Sequence, residues 1–157
     1  MKILIYLISA ILFISCTQSK KNTGGAISKT RTLRSQSSKP KGRFIHPVPN
    51  NSWISQKLHG KNAIDFAAPK GTAILASAPG KVIRSDASGH NGGYGKVVVI
   101  KHPDGTETLY AHMSRIKVRL GKKVKRGEVI GYVGSTGRST GNHLHFEVHG
   151  ASNPFNY

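Results

Sequence analysis

The stretch "HLHFEVH" (143–149) carries imidazoles at His143, His145 and His149 and a carboxylate at Glu147, each two residues from the next. Side chains on a strand alternate between faces, so all four point one way while Leu144, Phe146 and Val148 point the other. One face suits a core and the other suits chemistry. Taken alone, a half-buried strand with a wet histidine face would read the same way. Two imidazoles at this spacing lie about 6–7 Å apart, from a strand rise of roughly 3.3 Å per residue. That distance lets one serve an ion and its neighbour serve whatever binds beside it.

Upstream, "LHGKNAIDFAAP" supplies His59 and Asp65. Ile64 and Phe66 flank Asp65, so its carboxylate points away from two core candidates and needs a partner; an aspartate at a turn would have the same neighbours. A catalytic zinc site commonly takes three nitrogen or oxygen donors and leaves the fourth position to water. His59, Asp65 and one histidine of the 143/145 pair offer such a set. With one anionic donor the ion keeps positive charge, which favours acidifying a water and polarising a carbonyl. His112, in "ETLYAHMS", is expected on a polar strand face with Thr108 and Tyr110, opposite Leu109, Ala111 and Met113.

The elements that must position these residues read as short strands: 72–77, 81–85, 96–102, 107–114, 128–134 and 143–150. "PDGT" between the third and fourth carries Asp104-Gly105, a hairpin turn signal. "APGK" (78–81) is expected to turn the first pair in the same manner. No stretch keeps a helical period of apolar residues over three turns. The glycine clusters "GHNGGYG" (89–95) and "GSTGRSTG" (134–141) lack the strand, loop and helix order of a phosphate cradle, and are expected to bend loops beside a groove. The fold class that follows is mostly β and antiparallel.

Together, "IDFAAPKGTAILASAPGKV", "YGKVVVIKHPDGTETLYAHMSRI", "GKKVKRGEVIGYVGSTGRSTGNHLHFEV" and the closing "NP" resemble the lysostaphin and LytM type of zinc metallo-endopeptidase, from about His59 to Pro154. The resemblance implies a sandwich-like β domain with a narrow zinc-containing groove and hydrolysis of peptide links in bacterial peptidoglycan. It implies Asp65 and His145 as zinc ligands, and His112 and His143 as the catalytic pair that handles the water's proton and the oxyanion. The family commonly leaves three residues between its first histidine ligand and the aspartate, a position held here by Lys61, which is protonated near neutral pH and a poor donor. His59 is therefore taken as the ligand, with Gly60 allowing the loop to fold back, and His90 as the fallback. His46, His102 and His149 are expected to be structural or solvated, and Tyr110 to be a packed aromatic. The alternative is an inactive module of the same fold that binds wall or activates another hydrolase.

The first sixteen residues, "MKILIYLISAILFISC", outline a secretory signal. "LFISC" resembles a lipobox, with Cys16 as the lipidated residue. Cys16 is the only cysteine, which excludes an intrachain disulfide. Residues 17–43 hold eight Lys or Arg, no acidic residue and many Ser, Thr and Gly, so a disordered polybasic tether is expected. Residues 44–157 then form one domain, carrying 15 Lys and Arg against 6 Asp and Glu, or +9 of the chain's +18. The expected partners are peptidoglycan and, through lipid and tether, an anionic membrane surface of the cell envelope. Nucleic acid is set aside, because no basic recognition helix or aromatic RNA-binding motif is present. A monomer is expected.

Overall fold

The computed structural model describes residues 42–157. The expected signal (1–16), its Cys16 and nearly all of the tether (17–43) lie outside the described residues. Ten strands follow in chain order: β1 Trp53–His59, β2 Ala63–Ala67, β3 Ala73–Leu75, β4 Gly80–Asp86, β5 Val97–Lys101, β6 Glu107–Ala111, β7 Arg115–Ile116, β8 Lys123–Val124, β9 Val129–Tyr132 and β10 His143–His149. The only helical turn among the described residues is a 3₁₀ turn at Asn91–Gly93. Seven strands form one sheet in the order β1-β2-β10-β6-β5-β4-β8, and β3-β9-β7 form a second. All pairings are antiparallel.

The small sheet packs on one face of the large one. Ile74 and Ile130 from the former join Ile64, Phe66, Val98, Tyr110, Leu144 and Phe146 from the latter in a single buried cluster. Burial of such side chains stabilises by roughly 1.5–3 kcal/mol each and dominates the fold's cohesion. A smaller cluster of Val97, Val99, Leu109 and Ala111, with Tyr94 against it, covers the other face of the large sheet. That second cover explains the unbroken apolar run "VVVI" in β5, which is buried on both sides and so shows no alternation.

The hairpin expected at 102–106 is present: β5 pairs with β6, and the turn is closed by His102 N–H to the Thr106 carbonyl at 2.8 Å. The hairpin expected at 78–81 is not. β3 pairs with β9 in the small sheet, whereas β4 pairs with β5 and β8 in the large one, so "APGK" carries the chain between sheets. Turn residues report a local reversal and cannot report which sheet the next strand joins.

The expected face of Thr108, Tyr110 and His112 is also corrected. Thr108 and Tyr110 are fully buried toward the main core. β10 pairs His145 with Ala111 and Glu147 with Leu109, so the chemical face of β10 continues onto Leu109 and Ala111. His112 reaches that face because β6 ends at Ala111 and His112 takes φ 59°. For a residue other than glycine that backbone costs about 1–2 kcal/mol.

Candidate metal centre

β2, β10 and β6 lie side by side, and their register brings the candidate groups together. His145 is directly opposite Asp65 on β2 and Ala111 on β6, so both Asp65 and His145 stand on the face away from the main core. His59 comes from the edge strand β1, where Gln56 opposes Asp65 and His59 opposes Ala63. Three steps on β1 thus match two on β2. This bulge returns His59 to the face occupied by Gln56, which an unbroken alternation would deny it.

The longer interval between His59 and Asp65 is taken up by a turn over residues 60–62, with Gly60 at φ 50° and Asn62 at φ 58°. Asn62 pins that turn: its Nδ2 donates to the carbonyls of Val148 at 2.7 Å and Ala151 at 2.8 Å, and its own carbonyl accepts from Asn153 Nδ2 at 3.1 Å. Lys61 is exposed at the rim, and His59 occupies the place beside Asp65. Ligand atoms of His59, Asp65 and His145 all lie within 4.8 Å of one another. His59 Nε2 is 3.5 Å and His145 Nδ1 2.8 Å from Asp65 Oδ1.

Three of the imidazoles are fixed through Nδ1. His59 Nδ1 is 2.8 Å from the Lys57 carbonyl, His143 Nδ1 is 3.0 Å from that of Gly141, and His112 Nδ1 is 2.8 Å from that of Thr136. A carbonyl only accepts, so in these three rings Nδ1 carries a hydrogen and Nε2 is the nitrogen left to the groove. His145 is held the other way round, with Nε2 3.0 Å from Glu147 Oε1 and Nδ1 toward Asp65.

Charge is balanced within the groove. Burial resists ionisation of Asp65, but hydrogen bonding to His145 and the surrounding imidazoles outweigh it and lower its pKa. Burial likewise resists an imidazolium at His145, yet Asp65 and Glu147 push its pKa up to about 9. Loss of the Nδ1 proton leaves a lone pair directed at the Asp65 carboxylate. Burial lowers the pKa of His112 and keeps its ring neutral near pH 7.

These groups line a groove of about 760 Å³, together with Gln56, Tyr94, Arg138 and Ser139. His143 and His112 stand next to the cluster, with ring centroids 4.7 Å apart and His112 5.7 Å from His145. Two nitrogen donors and one carboxylate oxygen, each presented by a fixed ring or chain, fit the donor chemistry of zinc. Of the remaining histidines, His90 ends the loop before the 3₁₀ turn and does not enter the cluster. His46 and His102 pack against Phe66 and Phe44, as structural residues. His149 contacts Glu147 Oε2 at 2.6 Å. No motif or spacing in the sequence assigns a role to Glu147 or Tyr94, although the alternation of β10 sets Glu147 on the histidine face.

Strands carrying a His, Asp, His cluster beside two more imidazoles offer the donor set that a metal-dependent hydrolase uses. A family model narrows the class: residues 59–157 match Peptidase family M23, and the chain belongs to that family. It is 48% identical over 119 residues to the DD-carboxypeptidase/endopeptidase Mpg of Neisseria meningitidis, covering 76% of this chain and 25% of that protein. The chain thus spans about a quarter of that relative's length. Among solved structures it resembles a zinc-containing peptidase from Vibrio cholerae, with 34% identity, TM-score 0.62, and 69% of this chain and 37% of that one covered. It also resembles lysostaphin from Staphylococcus simulans, with 30% identity, TM-score 0.56, and 68% and 45% covered.

Proposed function

We propose that the chain is a zinc-dependent endopeptidase that hydrolyses peptide bonds in the stems or cross-bridges of bacterial peptidoglycan. His59, Asp65 and His145 hold the ion in this reading, and His112 and His143 are the catalytic pair. The observation that carries it is the meeting of these five side chains in one groove from four separate segments. The names of the relatives, a carboxypeptidase/endopeptidase and a zinc-containing peptidase, support the same chemistry.

When bound, zinc supplies Lewis acidity, polarising the scissile carbonyl and lowering the pKa of a water. The chain's own residues do the rest. His112, neutral and tied through Nδ1, presents Nε2 as a proton acceptor. Having taken a proton, such a ring can return it to the leaving amine. His143, tied to the Gly141 carbonyl, presents its Nε2 to the same space, 3.8 Å from Asp65 Oδ2. A hydrogen on that nitrogen would face the charge developing on the carbonyl oxygen. The proposal extends to a lipoprotein signal ending at Cys16, a tether over 17–43 and a domain over 44–157 that works at the cell envelope.

Metal analysis of the purified chain and release of soluble fragments from isolated cell walls, with and without a chelator, test the assignment. The expected result is bound zinc, fragment release, loss of release with chelator and recovery with added zinc. Walls left intact by a zinc-free chain, while another hydrolase is switched on, would overturn it in favour of a regulatory module.

A further inference from the structure

Glu147 is 2% exposed, one of the largest fully covered side chains in the molecule. It stands on β10 between Leu109 and Ala63 of the neighbouring strands, in surroundings where an apolar residue would pack. Among the described residues no Lys or Arg pairs with it. Its partners are His145 Nε2 at 3.0 Å and the Tyr94 hydroxyl at 2.6 Å, both on Oε1, and His149 Nε2 at 2.6 Å on Oε2. Burying a carboxylate without a guanidinium or ammonium partner is costly, and here only the hydrogen bonds from these three donors offset that cost. Filling space does not explain a carboxylate here, since an apolar residue would fill the same place without that cost.

We propose that Glu147 is a positioning residue of the metal centre: its carboxylate accepts the His145 Nε2 hydrogen, and so turns the Nδ1 lone pair toward the ion, while Tyr94 fixes the carboxylate. The inference rests on the zinc reading above and extends it to residues that touch neither ion nor substrate. Three of the four groove imidazoles are oriented by backbone carbonyls; His145 alone is oriented by a carboxylate. A carboxylate on the far nitrogen fixes the tautomer and raises the ring's strength as a ligand. Tyr94 can only donate to Oε1, so it holds that oxygen in place without competing for the histidine. The same residue accepts the His112 N–H on its backbone carbonyl at 2.9 Å. One loop residue thus sets both the carboxylate behind the metal ligand and the bend that presents His112.

Competition titration of the full chain against a fluorescent zinc chelator, run beside thermal melts of chelator-treated protein, tests this. Glu147→Leu is expected to bind zinc about 10–100-fold more weakly than the parent, and its chelator-treated form to melt lower, because His145 and Tyr94 lose their acceptor. Glu147→Gln, which keeps an acceptor oxygen, should recover most of the affinity. Tyr94→Phe should show a smaller loss than Glu147→Leu. If Glu147→Leu does not fold, ring-nitrogen NMR of the zinc-loaded parent decides, with the hydrogen of His145 expected on Nε2. Parent-like zinc affinity in folded Glu147→Leu, or the hydrogen on Nδ1, overturns the role of Glu147 and leaves the peptidase reading standing. A parent chain that binds no zinc removes that reading first, and this inference with it.

Discussion

His143 and His145 share a face and differ in what holds them. Two carboxylates grip both nitrogens of His145, whereas His143 is tied by a backbone carbonyl and its Nε2 sits 3.8 Å from Asp65, beyond hydrogen-bond reach. His145→Ala is therefore expected to abolish zinc binding. His143→Ala should keep zinc while turnover on cell-wall fragments falls about 10²–10⁴-fold, the usual scale for a lost acid–base group. Equal metal loss in both variants refutes the division. The pair was legible in the sequence because β alternation is strict and Leu144 and Phe146 mark the buried side. His112 was legible as a chemical residue through its motif, but its face was not. A single left-handed residue redirects it, and no local spacing signals that.

At the scale of elements, the two glycine-rich segments work as one support. Arg138 N–H donates to the Gly93 carbonyl at 2.8 Å, and Thr136 Oγ1 accepts from Lys96 N–H at 3.0 Å. Thr136 then holds His112 Nδ1, so the interlocked loops bear directly on the groove. Gly137 stands at the crossing with φ 72°, where an added methyl would press into Gly93 O and Gly95 N. Gly137→Ala should cost about 2–4 kcal/mol through backbone strain and overpacking. Gly141→Ala, with nothing within 4 Å of the added methyl, should be near neutral. Denaturant midpoints measure both, and similar values for the two variants would refute the interlock. The bending role of these loops could be read from glycine content, while their mutual contact spans some forty residues and could not. β1 went unread for a different reason: as an exposed, bulged edge strand, "WISQKLH" has no alternating burial to display.

Across the whole molecule, the point where the described chain enters the domain lies apart from the groove. Arg43, where the described chain enters the domain, pairs with Asp104 and Thr106 at the β5–β6 turn, and His112 follows the opposite end of β6. The groove stands roughly 15–20 Å from that entry point along the strand. On the entry side, burial lowers the pKa of His102, with the Pro79 carbonyl opposing the effect, Arg43 adding to it and Glu107 opposing it. Its Nδ1 faces the Pro79 carbonyl at 2.9 Å and its Nε2 the Thr108 hydroxyl at 2.9 Å. A folded pKa below the unfolded value of about 6.5 means that the unfolded chain takes the proton first. The contribution of His102 is thus complete above about pH 6.5 and declines as pH falls toward the folded value. His145, with its pKa raised to about 9, acts oppositely in chelator-treated protein, its contribution being complete below about 6.5 and lost as pH rises to about 9. The parent's own melting curve therefore mixes two signs, and a comparison with His102→Gln separates them. The gap in melting midpoint between parent and variant should be wide at pH 7.5 and should narrow by pH 5. A gap that stays constant over that range would show that His102 is as easily protonated in the fold as in the unfolded chain.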